Sequence, residues 1–203
     1  MPDQSILACT LARWLPRMGD PNLMAWITVL IYALAAAASL RAARGVRHDV
    51  TPVARREWWF WTLAAVLLAL YAVNKQLDGQ AFATALARCT AKAQGWYGHR
   101  HPLQIAFIAL LAAGAVAAFV AVSRRLSGTL GRTGLAAFGL VFVTAFILIR
   151  AVGFQHLDRL LHLKVAGVRA NLLLEIPGPL LVAAGAALSR IAARARRAPR
   201  SPT

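Results

Sequence analysis

Polar and ionisable side chains of the kinds that bind ligands or metal ions occur in four stretches of an otherwise apolar chain. The candidates for a shared site are Asn74, Lys75, Gln76, Asp78, His101, Arg150, His156, Asp158, Asn171 and Glu175. Each stretch adjoins one end of a long apolar segment. If those segments cross a membrane in turn, all four ends fall on the same side. We therefore expect a polar pocket at that face.

Glu175 and Arg150 are the charged candidates that lie within apolar segments. A helical rise of about 1.5 Å per residue places Glu175 about 22 Å from Arg190, inside a hydrocarbon core about 30 Å thick. Charges at such depth are costly and usually pair inside the helix bundle. We expect an Arg150–Glu175 ion pair. It could clamp two helices together or form the charged floor of a pocket.

Histidines and carboxylates on this side raise the question of a metal site. His101, His156 and Asp158 are of the types that supply nitrogen and oxygen ligands to zinc. The chain lacks the HExxH motif, and loop histidines are often plain polar residues. A zinc-dependent hydrolase embedded in the membrane is therefore the alternative function, behind binding of a small or lipid-derived ligand.

The elements that would position these residues are apolar helices. Mean hydropathy is +0.58, 59% of residues are hydrophobic and 15% are charged, whereas soluble proteins are less apolar and more charged. Segments near the length of about 20 residues that spans a bilayer predict an all-α bundle with five transmembrane helices. They run over residues 23–40, 58–74, 103–122, 133–150 and 170–188. The fifth contains Pro177-Gly178-Pro179, which predicts a break beside Glu175.

The net charge of +16 favours a particular orientation. More than half of the 23 lysines and arginines lie in residues 41–57, 123–132 and 189–203. Because basic loops stay cytoplasmic, the N-terminus is expected outside and the C-terminus inside a bacterial inner membrane. The basic residues then meet anionic lipids at the cytoplasmic face. They form no nucleic-acid motif, so we expect no nucleic-acid partner. An oligomer or a membrane partner stays open.

Residues 79–94 predict an amphipathic helix on the outer surface, because apolar side chains such as Phe82 and Leu86 recur at helical spacing. Residues 5–15 have a similar pattern. Cys9 and Cys89 are the only cysteines, and both map to the outer side. An oxidising compartment could join them, but sequence does not give their separation. Free thiols are the favoured interpretation.

Three motifs suggest a family relationship: NKQLDGQ at 74–80, GWYGHR at 95–100, and RAVGFQHLD at 150–158 followed by NLLLE at 171–175. They resemble a family of small bacterial multi-pass membrane proteins that has no established activity. The resemblance covers most of the chain after Trp58. In that family the last motif more often has two adjacent histidines, and Gln155 replaces the first of them here. The resemblance implies no cofactor, and this departure weakens the metal interpretation.

Overall fold

The computed structural model of the chain is a bundle of long helices. It describes residues 5–15, 23–47, 49, 51–95, 100–125, 128–151, 164–165 and 168–197. The helices are α1 (Ile6–Trp14), α2 (Leu23–Val46), α3 (Pro52–Leu77), α4 (Gly79–Ala93), α5 (Arg100–Arg125), α6 (Leu130–Ala151), α7 (Ala170–Glu175) and α8 (Pro177–Arg197). The predicted helical bundle is confirmed.

Within the described residues, four segments are long and apolar enough to cross a membrane: Leu23–Val46, Pro52–Leu77, Leu130–Ile149 and Leu173–Ala192. They contain or largely overlap four of the five predicted spans. The remaining segment, 103–122, lies within the 26-residue helix α5, and its role as a span stays a prediction. Large apolar side chains remain exposed on these helices, for example Leu30 on α2 and Leu110 on α5. Such exposed apolar surface is expected where lipid replaces water.

The ends of α3 follow from local sequence. Thr51 accepts a hydrogen bond from the backbone N–H of Ala54, and Pro52 occupies the first turn, an arrangement that favours helix initiation. The helix therefore begins six residues before the predicted span at 58. At its other end, Asp78 adopts a left-handed conformation with φ of 45°. Its side chain accepts a hydrogen bond from the Ala81 N–H, so α4 starts directly after α3.

The core lies between α2, α3, α6 and α8. Tyr32, Trp61 and Leu68 are fully buried there, together with many alanines. Helices α6 and α8 approach closely at two glycines: a Cβ atom on Gly139 would lie 2.6 Å from the carbonyl oxygen of Gly178. Small residues allow this approach, and in lipid the resulting van der Waals contact is a main source of helix association.

The connection to the last span contains a feature that the all-α prediction missed. Strands β1 (Lys164–Val165) and β2 (Val168–Arg169) pair antiparallel as a two-residue ribbon. Helix α7 follows β2 directly, and a bend at Ile176 separates α7 from α8. The predicted break is confirmed, because Pro177 has no N–H to continue the hydrogen-bond ladder of α7.

Candidate functional site

Glu175 lies at the C-terminal end of α7 and is only 2% exposed. Its Oε2 atom lies 2.7 Å from the ammonium Nζ of Lys75 on α3. The hydroxyl of Tyr32 on α2 donates to the other carboxylate oxygen, Oε1, at 3.4 Å. Two helices, α2 and α3, thus direct polar groups at one buried carboxylate on α7.

A second pair of polar groups adjoins this carboxylate. The rings of Tyr32 and Tyr71 pack edge to face with centroids 6.1 Å apart. The Tyr71 hydroxyl lies 2.8 Å from Thr144 Oγ1, which itself donates to the Leu140 carbonyl oxygen. Since Thr144 has a single hydroxyl proton, Tyr71 donates to Thr144. We refer to Tyr32, Tyr71, Lys75, Thr144 and Glu175 as the Glu175 cluster.

Local sequence explains how the two charged members are presented. Lys75 lies in the last turn of α3, where a cation interacts favourably with the helix dipole. Glu175 is the last residue of α7 before the bend. The Lys75 side chain keeps 15% of its surface exposed, against 3% for that of Glu175. The ion pair therefore neutralises the carboxylate while leaving part of the lysine accessible to a polar ligand.

Three other predicted candidates surround Lys75 at the end of α3, without a contact to Glu175 among the described contacts. The Asn74 side chain packs against the backbone of Gly79. Asp78 caps α4, which is a structural role. The Nε2 atom of Gln76 is buried and has no hydrogen-bond partner among the described residues. That amide N–H group is available to an acceptor on a ligand.

The side chains of the other five candidates lie outside the described part of the structure. His101, Arg150 and Asn171 lie on α5, α6 and α7, but their side chains fall outside the described part of the structure. His156 and Asp158 lie wholly outside the described residues. The Arg150–Glu175 ion pair therefore stays a prediction, and Lys75 is a basic partner of Glu175 among the described side chains. Within the described ranges, no group of three or more metal-ligating side chains occurs, and the zinc site stays untested.

Sequence reasoning missed Tyr32, Tyr71 and Thr144. Each lies within an apolar segment, where an aromatic or small hydroxyl residue is usually interpreted as part of the helix-packing core or of the membrane interface. It also missed a second ion pair: Glu57 on α3 is 1% exposed and lies 2.5 Å from Arg132 on α6. The sequence did contain a signal for both pairs. Glu57 and Lys75 lie about 27 Å apart along one helix, close to the thickness of a bilayer core. Each charge therefore falls near one edge of that core, where it needs a partner.

The favoured interpretation of the cysteines as free thiols is wrong. Cys9 of α1 and Cys89 of α4 form a disulfide with their Cα atoms 6.1 Å apart. The two helices pack together, which brings residues that are 80 apart in sequence within bonding distance. The predicted helix at 79–94 is confirmed as α4, and the helical pattern at 5–15 is confirmed as α1.

Comparison with known proteins adds no relative. No protein-family model matches the chain, and no curated protein or solved structure matches it. The resemblance to a family of small bacterial membrane proteins therefore stays a prediction.

Proposed function

We propose that the chain is a five-span protein of the bacterial inner membrane that binds a small or lipid-derived ligand at the Glu175 cluster. The N-terminus is outside and the C-terminus is in the cytoplasm. The fifth span is α5, which supplies 26 helical residues over the predicted segment 103–122. The density of lysine and arginine in residues 41–57, 123–132 and 189–203 supports this orientation.

The disulfide supports the same orientation on independent grounds. Disulfides persist in the periplasm and are rare in the cytoplasm. The proposed topology puts Cys9 and Cys89 on the periplasmic side, where their bond would be stable. The opposite orientation would place the bond in a reducing compartment. The outer end of α3 and the C-terminal end of α7 then bring Lys75 and Glu175 together near the periplasmic face.

The observation that carries the binding proposal is the Lys75–Glu175 ion pair, buried between helices beside the bend at Ile176. Ionisable groups inside a membrane bundle commonly mark ligand sites, and a discontinuous helix is a frequent part of such sites. Lys75 is partly accessible, and the Gln76 amide N–H lacks an acceptor among the described residues. A ligand with anionic or carbonyl oxygens fits these donors.

Native mass spectrometry of the full chain in nanodiscs made from bacterial lipids tests the proposal. We expect wild-type protein to retain a bound lipid or small molecule after removal from the nanodisc. The ligand occupancy of Glu175→Gln should be at least about tenfold lower than that of wild type, because the Lys75 ammonium is no longer held in position by the carboxylate. Glu57→Gln is the matched control. It also breaks a buried ion pair on α3, but at the inner end, and should retain the ligand.

Circular dichroism and an intact disulfide on non-reducing gels show that each variant is folded. Equal ligand occupancy in wild type, Glu175→Gln and Glu57→Gln would contradict binding at the Glu175 cluster. So would a wild-type protein that carries no bound molecule.

A further inference from the structure

Helices α1 and α4 form one small unit at the end of α3. The Cys9–Cys89 disulfide joins them covalently. Trp14 at the end of α1 donates its indole N–H to the Leu77 carbonyl oxygen at 2.9 Å, and its ring packs edge to face on Phe82 with centroids 5.2 Å apart. We refer to Ile6–Leu15 and Gly79–Ala93 as the α1–α4 unit. These contacts hold α1 in a fixed position relative to the spans.

The unit presents an apolar surface that the described residues leave uncovered. Leu7 and Leu15 are 59% and 55% exposed. Together with Leu11 they recur every four residues, so they lie on one side of α1. At about 100° per residue, Cys9 and its disulfide lie on the opposite side of α1 from these leucines.

The charged groups of the unit all have one sign. Arg13 of α1 and Arg88 and Lys92 of α4 are exposed. Neither helix contains an aspartate or a glutamate. A unit that carries a leucine side and only cationic charges has the chemistry of helices that lie at a membrane interface, with apolar side chains in the acyl region and cations at lipid phosphates.

Size and charge argue against a second copy of the chain as the occupant. Three leucine side chains would bury roughly 300 Å², at about 100 Å² each. A stable protein interface needs about 800 Å² per partner. Two copies would also bring their like-charged arginines and lysines together, which opposes association. A lipid surface imposes no minimum area of this kind, because the spans already anchor the chain.

We propose that the α1–α4 unit docks on the outer leaflet, with Leu7, Leu11 and Leu15 inserted at the boundary between headgroups and acyl chains. Arg88 and Lys92 contact lipid phosphates. The disulfide sets the depth of α1 relative to α3, so that docking and the position of the outer end of α3 are mechanically linked. The inference rests on the proposed topology, but it involves none of the residues of the Glu175 cluster.

Photo-crosslinking in the full chain tests this docking. The photoreactive amino acid p-benzoylphenylalanine replaces Leu7, Leu15 or, as the control on another side of the same helix, Arg13. The protein is placed in nanodiscs of phosphatidylethanolamine and phosphatidylglycerol, irradiated and weighed as intact chains. We expect lipid adducts at Leu7 and Leu15, and at least about fivefold fewer at Arg13, because only the leucine side reaches acyl chains.

Non-reducing gels confirm first that each variant keeps its disulfide. Adducts between two copies of the chain at Leu7 and Leu15 would show that a second copy, and not lipid, covers this surface, and would overturn the proposal. Equal labelling at all three positions, or no lipid adduct, would also overturn it. The two proposals fail separately. Absence of lipid adducts together with loss of ligand from Glu175→Gln would contradict docking and support the proposed function. Lipid adducts at Leu7 together with unchanged ligand occupancy in Glu175→Gln would support docking and contradict binding at the Glu175 cluster.

Discussion

The Nζ atom of Lys75 and the Oε2 atom of Glu175 lie 2.7 Å apart although the two residues are 100 positions apart in the chain. This contact ties the end of α3 to α7 just before the bend. Tyr32 joins α2 to the same carboxylate. A single buried acidic residue therefore links three segments of the bundle.

The first prediction concerns the energy of this ion pair. Lys75→Met and Glu175→Gln should each lower the free energy of unfolding by about 3 kcal/mol, because each removes one half of an ion pair that lies between helices. The double variant should recover part of the loss, with a coupling energy above about 1 kcal/mol. Titration with sodium dodecyl sulfate measures all four proteins. Strict additivity of the two single changes would mean that the pair contributes nothing to stability.

The second prediction concerns Arg150, which the sequence places at a depth similar to that of Glu175. Arg150→Gln combined with Glu175→Gln forms a second cycle, measured in the same way. Because Lys75 already neutralises Glu175, we expect a coupling smaller than that of Lys75, of about 0.5 kcal/mol. A coupling as large as that of Lys75 would instead make Arg150 an equal partner of the carboxylate.

The third prediction concerns the contact between α6 and α8. Gly139→Ala should lower the free energy of unfolding by about 2 kcal/mol, because the added methyl group would meet the Gly178 backbone and the chain must shift. Gly114→Ala is the matched control on α5, where a Cβ atom meets nothing within 4 Å. Alanine favours helix there, so this variant should be unchanged or slightly more stable. Similar losses at both positions would refute close packing as the cause.

The fourth prediction concerns the disulfide and the orientation of the chain. A membrane-impermeant maleimide added to intact spheroplasts should label neither cysteine before reduction and both after it, because the proposed topology puts the bond on the periplasmic side. Mass spectrometry counts the labels on the two cysteines of the chain.

An inner-loop residue gives the control for this labelling. Arg47→Cys in a Cys9→Ser, Cys89→Ser background should react only after the membrane is permeabilised. Labelling of the native cysteines that also required permeabilisation would reverse the proposed orientation.

The elements that repeat a local pattern could be predicted from the sequence. A span is defined by about 20 consecutive apolar residues, so segments such as 23–40 and 133–150 were recognisable without tertiary information. The break after Glu175 was predictable for the same reason, since proline removes a backbone donor wherever it stands. The small β1–β2 ribbon was missed, because two-residue strands have no periodicity to read.

Contacts between distant residues depended on the tertiary structure. Sequence indicated that Glu175 needs a partner inside the bundle, but that Lys75 reaches it depends on how α3 and α7 are rotated and tilted. The hydrogen bond from Tyr32 to Glu175 depends in the same way on how α2 packs against α7. Cys9 and Cys89 bond because α1 packs on α4, and no local pattern gives the distance between residues 80 apart. Hydropathy thus determined which segments are helices long and apolar enough to cross a membrane, while helix packing decided which of their polar side chains meet.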